Sequence, residues 1–145
     1  MQSAIGALWL ATSTGELWSG RVWAGWIIGG LVAAFMLFDA AAKFAKPKPV
    51  VDAFARTGWP IHLASTTGAI LLICTTLYLV PRTSVLGAIL LTGHLGGAAA
   101  TNLRLENPLL TQTLFPVYFG VLSWVGLWLR EPRLEVVFPL LRWGN

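Results

Sequence analysis

Apolar residues run along this chain in four blocks of about twenty, the length a helix needs to cross a bilayer. The blocks cover residues 22–42, 61–80, 84–102 and 110–129, and each is closed by glycine, proline or charge. None keeps the broad polar face of a helix on a soluble surface. The first block, twenty-one residues, would rise about 31 Å at ~1.5 Å per residue. Lys46-Pro-Lys-Pro49 stops it, because neither proline continues the hydrogen-bond ladder. Residues 49–57 read as a short interfacial helix: a proline opens it, Val50, Val51 and Phe54 share one side, and Gly58 with Pro60 closes it. Trp59 suits headgroup depth there. Pro81-Arg82 ends the second block after so short a turn that spans two and three are antiparallel neighbours. Pro116 lies inside the fourth and leaves the carbonyl of Gln112 in need of a partner. The predicted fold is all-α. It is a four-transmembrane-helix bundle over residues 21–131 with a short interfacial helix between spans one and two. Residues 1–20 form a peripheral lead-in, and 132–145 an interfacial tail ending on Phe138, Leu140, Leu141 and Trp143.

Composition supports the membrane reading and narrows the chemistry. Apolar residues make up 56% of the chain and charged residues only 11%, and mean hydropathy is +0.70. A globular protein needs about 25% charge to cover its surface. The net charge of +4 comes from basic residues between and beyond the apolar blocks, where cations meet headgroups, so nucleic acid is not an expected partner. One cysteine, Cys74, excludes an internal disulfide and a paired-thiol redox site; inside an apolar block it reads as a small core residue.

Four crossings put both termini on one side, here side A. Basic residues divide evenly, with Arg21, Arg82, Arg130, Arg133 and Arg142 on side A and Lys43, Lys46, Lys48, Arg56 and Arg104 on side B. Charge therefore leaves orientation open. The expected location is a bacterial cytoplasmic membrane, with the N-terminus taken as cytoplasmic.

Polar groups inside the blocks are not distributed evenly. Side B gathers Asp39, Lys43, His62, Asn102, Arg104 and Gln112, whereas side A is ringed by Trp18, Trp23, Trp26, Trp124 and Trp128. The pattern predicts a polar funnel at one end and an apolar plug at the other. Asp39 and Lys43 stand one helical turn apart, the spacing of an interfacial ion pair. His62, at a helix start after Trp59-Pro60, reads as a wet interfacial histidine, and Arg104 as a headgroup contact. His94 lies eight residues before Asn102, about 12 Å deeper along its helix. An ionisable group at that depth either bonds a neighbouring helix or marks a functional site. No histidine pair has ligand spacing on one helix, so no metal site is expected.

Small residues set the expected packing. Gly25 and Gly29 form a ladder on the first span, and Gly93, Gly96 and Gly97 stand in the third, within the glycine- and alanine-rich stretch Thr92 to Arg104. Small-xxx-small faces let helices approach closely in lipid, so the third span is predicted to be the buried centre.

The segments Leu17-Trp-Ser-Gly-Arg21, Leu37-Phe-Asp-Ala-Ala-Ala-Lys-Phe44, Leu79-Val-Pro-Arg-Thr83 and Gly87-Ala-Ile-Leu-Leu-Thr-Gly-His-Leu-Gly-Gly97, with Ala100-Thr101 and Arg104, resemble the DoxX-like membrane proteins. Phe115-Pro-Val-Tyr118 and Gly126-Leu-Trp-Leu-Arg130 extend the likeness across residues 17–142. The resemblance implies a four-helix membrane protein, with Asp39, Lys43 and Arg104 at matching positions. Many members have tyrosine at the position of His94 and histidine at that of Asn102. The family is mostly uncharacterised. Its distant relatives include a subunit associated with thiosulfate:quinone oxidoreduction, members of oxidative-stress complexes and a receptor-assembly chaperone.

Two functional classes fit. One is an accessory protein that binds a small amphipathic ligand in a side-B pocket bordered by Asp39, His62, His94, Asn102 and Gln112, or docks on another membrane protein or a second copy of itself. The other is the membrane subunit of a quinone-linked oxidoreductase or oxidative-stress complex. No cofactor follows from the residues; a quinone is the candidate ligand of the second class. The chain has no haem-attachment motif, dinucleotide fingerprint or thiol pair, so electrons would need a partner protein.

Overall fold

A computed structural model describes the backbone of residues 2–131 and 134 and the side chains of 20–131 and 134. The described residues form helices α1 (Gln2–Ala45), α2 (Lys48–Thr57), α3 (Leu63–Leu79), α4 (Ser84–Arg104) and α5 (Phe115–Arg130), with a π-helical segment at Leu109–Thr113. The protein is all-α. Segments Gly20–Ala45, Ser84–Arg104 and Leu109–Arg130 are long and apolar enough to cross a membrane, while α3, at 17 residues, is shorter. Helix α1 is unbroken from Gln2, so the backbone of the predicted lead-in continues the first span. The predicted tail at 132–145, apart from Leu134, and the Trp18 side chain lie outside the described residues.

The four long helices stand antiparallel in a ring, α1 beside α3, α3 beside α4, α4 beside α5, and α5 again beside α1. Side chains fix this order. Tyr78 of α3 and Gly126 of α5 both meet α1 at Gly29, and Gly68 of α3 meets Ala40 and Lys43. Phe35 of α1 stacks on Phe119 of α5, with ring centroids 4.3 Å apart, and Phe115 leans on both. The Trp124 indole donates to the Thr92 hydroxyl at 2.9 Å, joining α5 to α4. Inside the ring lie Leu71, Tyr78, Leu91 and Leu127 with small residues such as Ala33, Ala40 and Ala88. Outside, Trp23, Leu31, Phe38 and Leu110 are each about two thirds exposed or more. Such a surface is suited to hydrocarbon and costly in water.

The prediction that the third span is central is corrected here. Helix α1 makes the most extensive contacts, and α4 has an open outer face. A Cβ on Gly25 would lie 2.7 Å from the backbone nitrogen of Arg130 and 2.8 Å from the Gly126 carbonyl oxygen. At Gly93, Gly96 or Gly97 it would meet nothing within 4 Å among the described residues, so packing among the described helices does not require those glycines. A stripe apolar on every side does not say which face turns inward.

Pro116 is also accommodated differently from expectation. It occupies the first turn of α5, where its missing N–H costs nothing. The preceding π-helical turn, closed by Leu114 N–H to Leu109 O at 2.9 Å, absorbs the change of register.

Candidate functional site

On side B, a cavity of about 370 Å³ opens between α2 and α4, with Lys43 of α1 and Thr67 of α3 at its back. That volume is in the range of small-molecule sites, ~300–1,000 Å³. Its α4 wall is Gly93, His94, Gly97, Ala98, Thr101 and Asn102. The glycines serve as floor: without side chains they leave the space beside His94 open.

The opposite wall comes from α2 through Ala53, Phe54 and Thr57, followed by Trp59. Local sequence dictates this placement. Lys46, at φ +49°, and Pro47 turn the chain out of α1, and Pro49 starts the next helix. Gly58, at φ +72°, ends it, its N–H bonding Ala55 O while Trp59 N–H bonds Phe54 O, closing the last turn. The α2 helix buries no residue of its own. One link to the bundle is the Arg104 guanidinium, which donates to Thr57 O at 3.0 Å.

Polar side chains around the cavity differ in what they have left to offer. Lys43 forms an ion pair with Asp39; the Lys43 side chain is 16% exposed and that of Asp39 40%. Asn102 donates to Ala98 O and accepts from Asn107, holding the turn after α4. Thr101 and Thr67 turn their hydroxyl protons back to their own helices. His94 is half-buried and within electrostatic range of both Lys43 and Asp39, yet among the described residues it has no hydrogen-bond partner. Its ring nitrogens are an uncommitted donor and acceptor at the site, beside the Trp59 indole N–H, a further free donor among the described residues.

Of the residues predicted from sequence, Lys43, His94 and Asn102 line the cavity, and Asp39 joins through Lys43. His62 does not line it: it is exposed at the start of α3. Gln112 is exposed on the π-helical segment, which turns it away from the bundle. Arg104 acts from behind α2 as a brace. Among the described residues no cluster of three or more His, Cys, Asp or Glu could hold a metal. Thr67, Thr57, Phe54 and Trp59 were missed as lining residues. For Phe54 the signal was the apolar side of the 49–57 helix, which was read as interfacial.

Side A departs further from expectation. Arg130 is 9% exposed as a residue; its guanidinium donates to Tyr78 O at 2.7 Å and lies 4.5 Å from the Trp26 ring and 4.4 Å from the Tyr78 ring. Tyr78, fully buried, donates to Ser123 O at 2.9 Å. Gly25, Gly29 and Gly126 make room for this knot, a Cβ on Gly29 lying 2.9 Å from the Tyr78 hydroxyl. The predicted apolar plug therefore contains a buried cationic lock. Tyr78 within an apolar block and Arg130 at the end of another were its signals in the sequence.

These features define a small all-α membrane protein with a locked end and an open polar pocket at the other. The family profile described as DoxX-like matches residues 27–126, and the chain belongs to that family. No curated protein and no solved structure matches it.

Proposed function

We propose that this protein is a four-span membrane protein that binds a small amphipathic molecule in the side-B pocket and has no catalytic activity of its own. The observation that carries the reading is His94: a half-buried imidazole with no hydrogen-bond partner among the described residues, facing a cavity kept open by glycines. A polar group held within a span without a partner is costly, and a ligand oxygen would relieve that cost. For the topology, α3 rises about 25 Å at ~1.5 Å per residue, and its flanking turns supply the remaining reach. It also packs against both α1 and α4. Both termini then lie on one side, taken as the cytoplasmic side of a bacterial membrane.

The test is native mass spectrometry of protein released from lipid nanodiscs, read together with its absorption spectrum. A small molecule retained by the wild type should be bound about tenfold more weakly by His94→Phe, the loss of one hydrogen bond to a buried partner. Gly97→Leu should exclude it while leaving the fold intact, because a side chain there enters the cavity. Retention unchanged by both substitutions refutes the pocket.

A second reading has a specific observation in its favour. Phe54 and Trp59 face the same cavity as His94, a setting suited to a flat ring such as a quinone. The protein would then be the membrane subunit of a quinone-linked oxidoreductase or oxidative-stress complex. A quinone spectrum together with a co-purifying redox protein would select this alternative.

A further inference from the structure

A second cavity, larger at about 590 Å³, runs between α4 and α5 on the outside of the ring. Its walls are almost wholly apolar. They run from Pro116 to Trp128 on α5, with Thr92, Leu95 and Gly96 on α4. The polar groups of Thr92 and Trp124 bond each other, leaving the groove little to offer a polar ligand. By itself such a groove would only meet lipid.

Its position relative to the polar pocket changes that reading. Thr92 and Gly96 border the apolar groove, and their immediate neighbours Gly93 and Gly97 border the polar pocket. At 100° per residue, the strip of α4 between the two at this level consists of Gly93, Gly96, Gly97 and Ala100. All four are exposed, and among the described residues a Cβ on any of the three glycines would meet nothing within 4 Å. No large side chain divides the two spaces. The groove spans Pro116 to Trp128 on α5, and from the level of Gly96, marked by Gly120 beside Leu95, it follows α5 toward side A as far as Trp128, about 12 Å at ~1.5 Å per residue.

We infer that the pocket and the groove are two parts of one site, which takes a single-chain amphiphile with a neutral head. The head sits beside His94 and the chain crosses the glycine strip to lie along α5. This rests on the pocket reading above and adds the ligand's class and direction. A neutral head fits because Lys43 and Asp39 already balance each other's charge, while the uncommitted His94 ring can bond a hydroxyl or carbonyl oxygen. The glycines of α4 then have one role at both cavities: they keep a saddle low enough for a chain to cross.

The test uses two monoacylglycerol probes in nanodiscs, one carrying a diazirine beside the head and the other at the chain end. After irradiation, labelled peptides are mapped. The head-end probe should label residues around His94 and Phe54, and the tail-end probe residues 116–128. Gly96→Leu, which raises the saddle at a position with open space, should lower tail-end labelling of 116–128 by about tenfold, equivalent to two methylenes losing burial. Gly120→Val, which narrows the groove from α5 where a Cβ would make only ordinary contact with Leu95, should do the same if Gly96→Leu fails to fold. Head-end labelling of the pocket with tail-end label spread over outer positions such as Leu31 and Phe38 would overturn the joined site and leave the pocket reading standing. Labelling of the groove by both ends and of the pocket by neither overturns both.

Discussion

Alanine at Gly25 and alanine at Gly97 should change stability in opposite directions, although both glycines stand in small-residue ladders of apolar helices. In either helix, replacing glycine by alanine gains ~0.5–1 kcal/mol from backbone entropy. At Gly97 no described residue opposes that gain, since the new Cβ has none within 4 Å. At Gly25 the Cβ would lie 2.7–2.9 Å from Arg130 N, Gly126 O and Leu129 Cβ. Two of these are backbone atoms, which no rotamer change can move aside. Overpacking of this kind costs ~1–3 kcal/mol, so Gly25→Ala should lose about 1–2 kcal/mol net. The two variants should therefore differ by ~2 kcal/mol, or about 4–8 °C in midpoint for a chain of this size. Thermal unfolding in a mild detergent, followed by tryptophan fluorescence, reads the difference directly. If Gly97→Ala proves as destabilising as Gly25→Ala, α4 packs on its glycine face and the open pocket disappears with it.

Other parts of the structure give equally direct expectations. Tyr78→Phe should cost about 1–3 kcal/mol in the same assay, because it removes a buried side-chain donor from Ser123 O at the lock; no measurable loss would mean the bond is not formed. Asp39→Asn should cost about 1–2 kcal/mol, between the values for exposed and buried pairs, since Lys43 is largely covered and Asp39 is not. Lys43→Met should restore most of that loss, and failure to do so would show that Lys43 escapes to the headgroups unaided. In a Cys74→Ser background, Gly20→Cys and Arg82→Cys should react with an impermeant maleimide from one side of sealed vesicles, and Lys48→Cys from the other. Reaction of Arg82→Cys and Lys48→Cys from the same side would rule out a membrane-crossing α3.

The helices were legible in the sequence because apolar length and proline punctuation are local signals. The α2 helix was legible for the same reason, since Pro49 and Gly58 bound it from both ends. The ring order was not, because the faces of α1, α3 and α4 that meet lipid are as apolar as those that meet protein. Gly93 and Gly97 consequently looked like packing residues, and only their surroundings show open space. The depth of His94 could be counted along the chain, but the neighbours that make it a site, Phe54, Thr57 and Trp59, come from a separate helix folded over it. The exposed positions of His62 and Gln112 depend on the first turn of α3 and on the π-helical segment, and neither turn could be oriented from spacing alone. Arg130 read as a headgroup anchor because an arginine at the end of an apolar block usually is one. Burial came from the space left at Gly25, Gly29 and Gly126 on two other segments of helix.

Placing the lock and the pocket at opposite ends has a physical consequence. Close backbone approach, aromatic faces over a guanidinium and buried hydrogen bonds all concentrate on side A, where α1, α3 and α5 meet. On side B, α2 buries nothing and the α4 glycines leave space unfilled. A membrane bundle has little hydrophobic drive to hold its helices together, so packing and hydrogen bonds must do so. Concentrating them at one end lets the other keep an open cavity, and a histidine with no hydrogen-bond partner among the described residues, without loss of the fold. The pocket is therefore the part of the bundle that packing leaves unfinished, with α2 and the side chains it carries forming one of its walls.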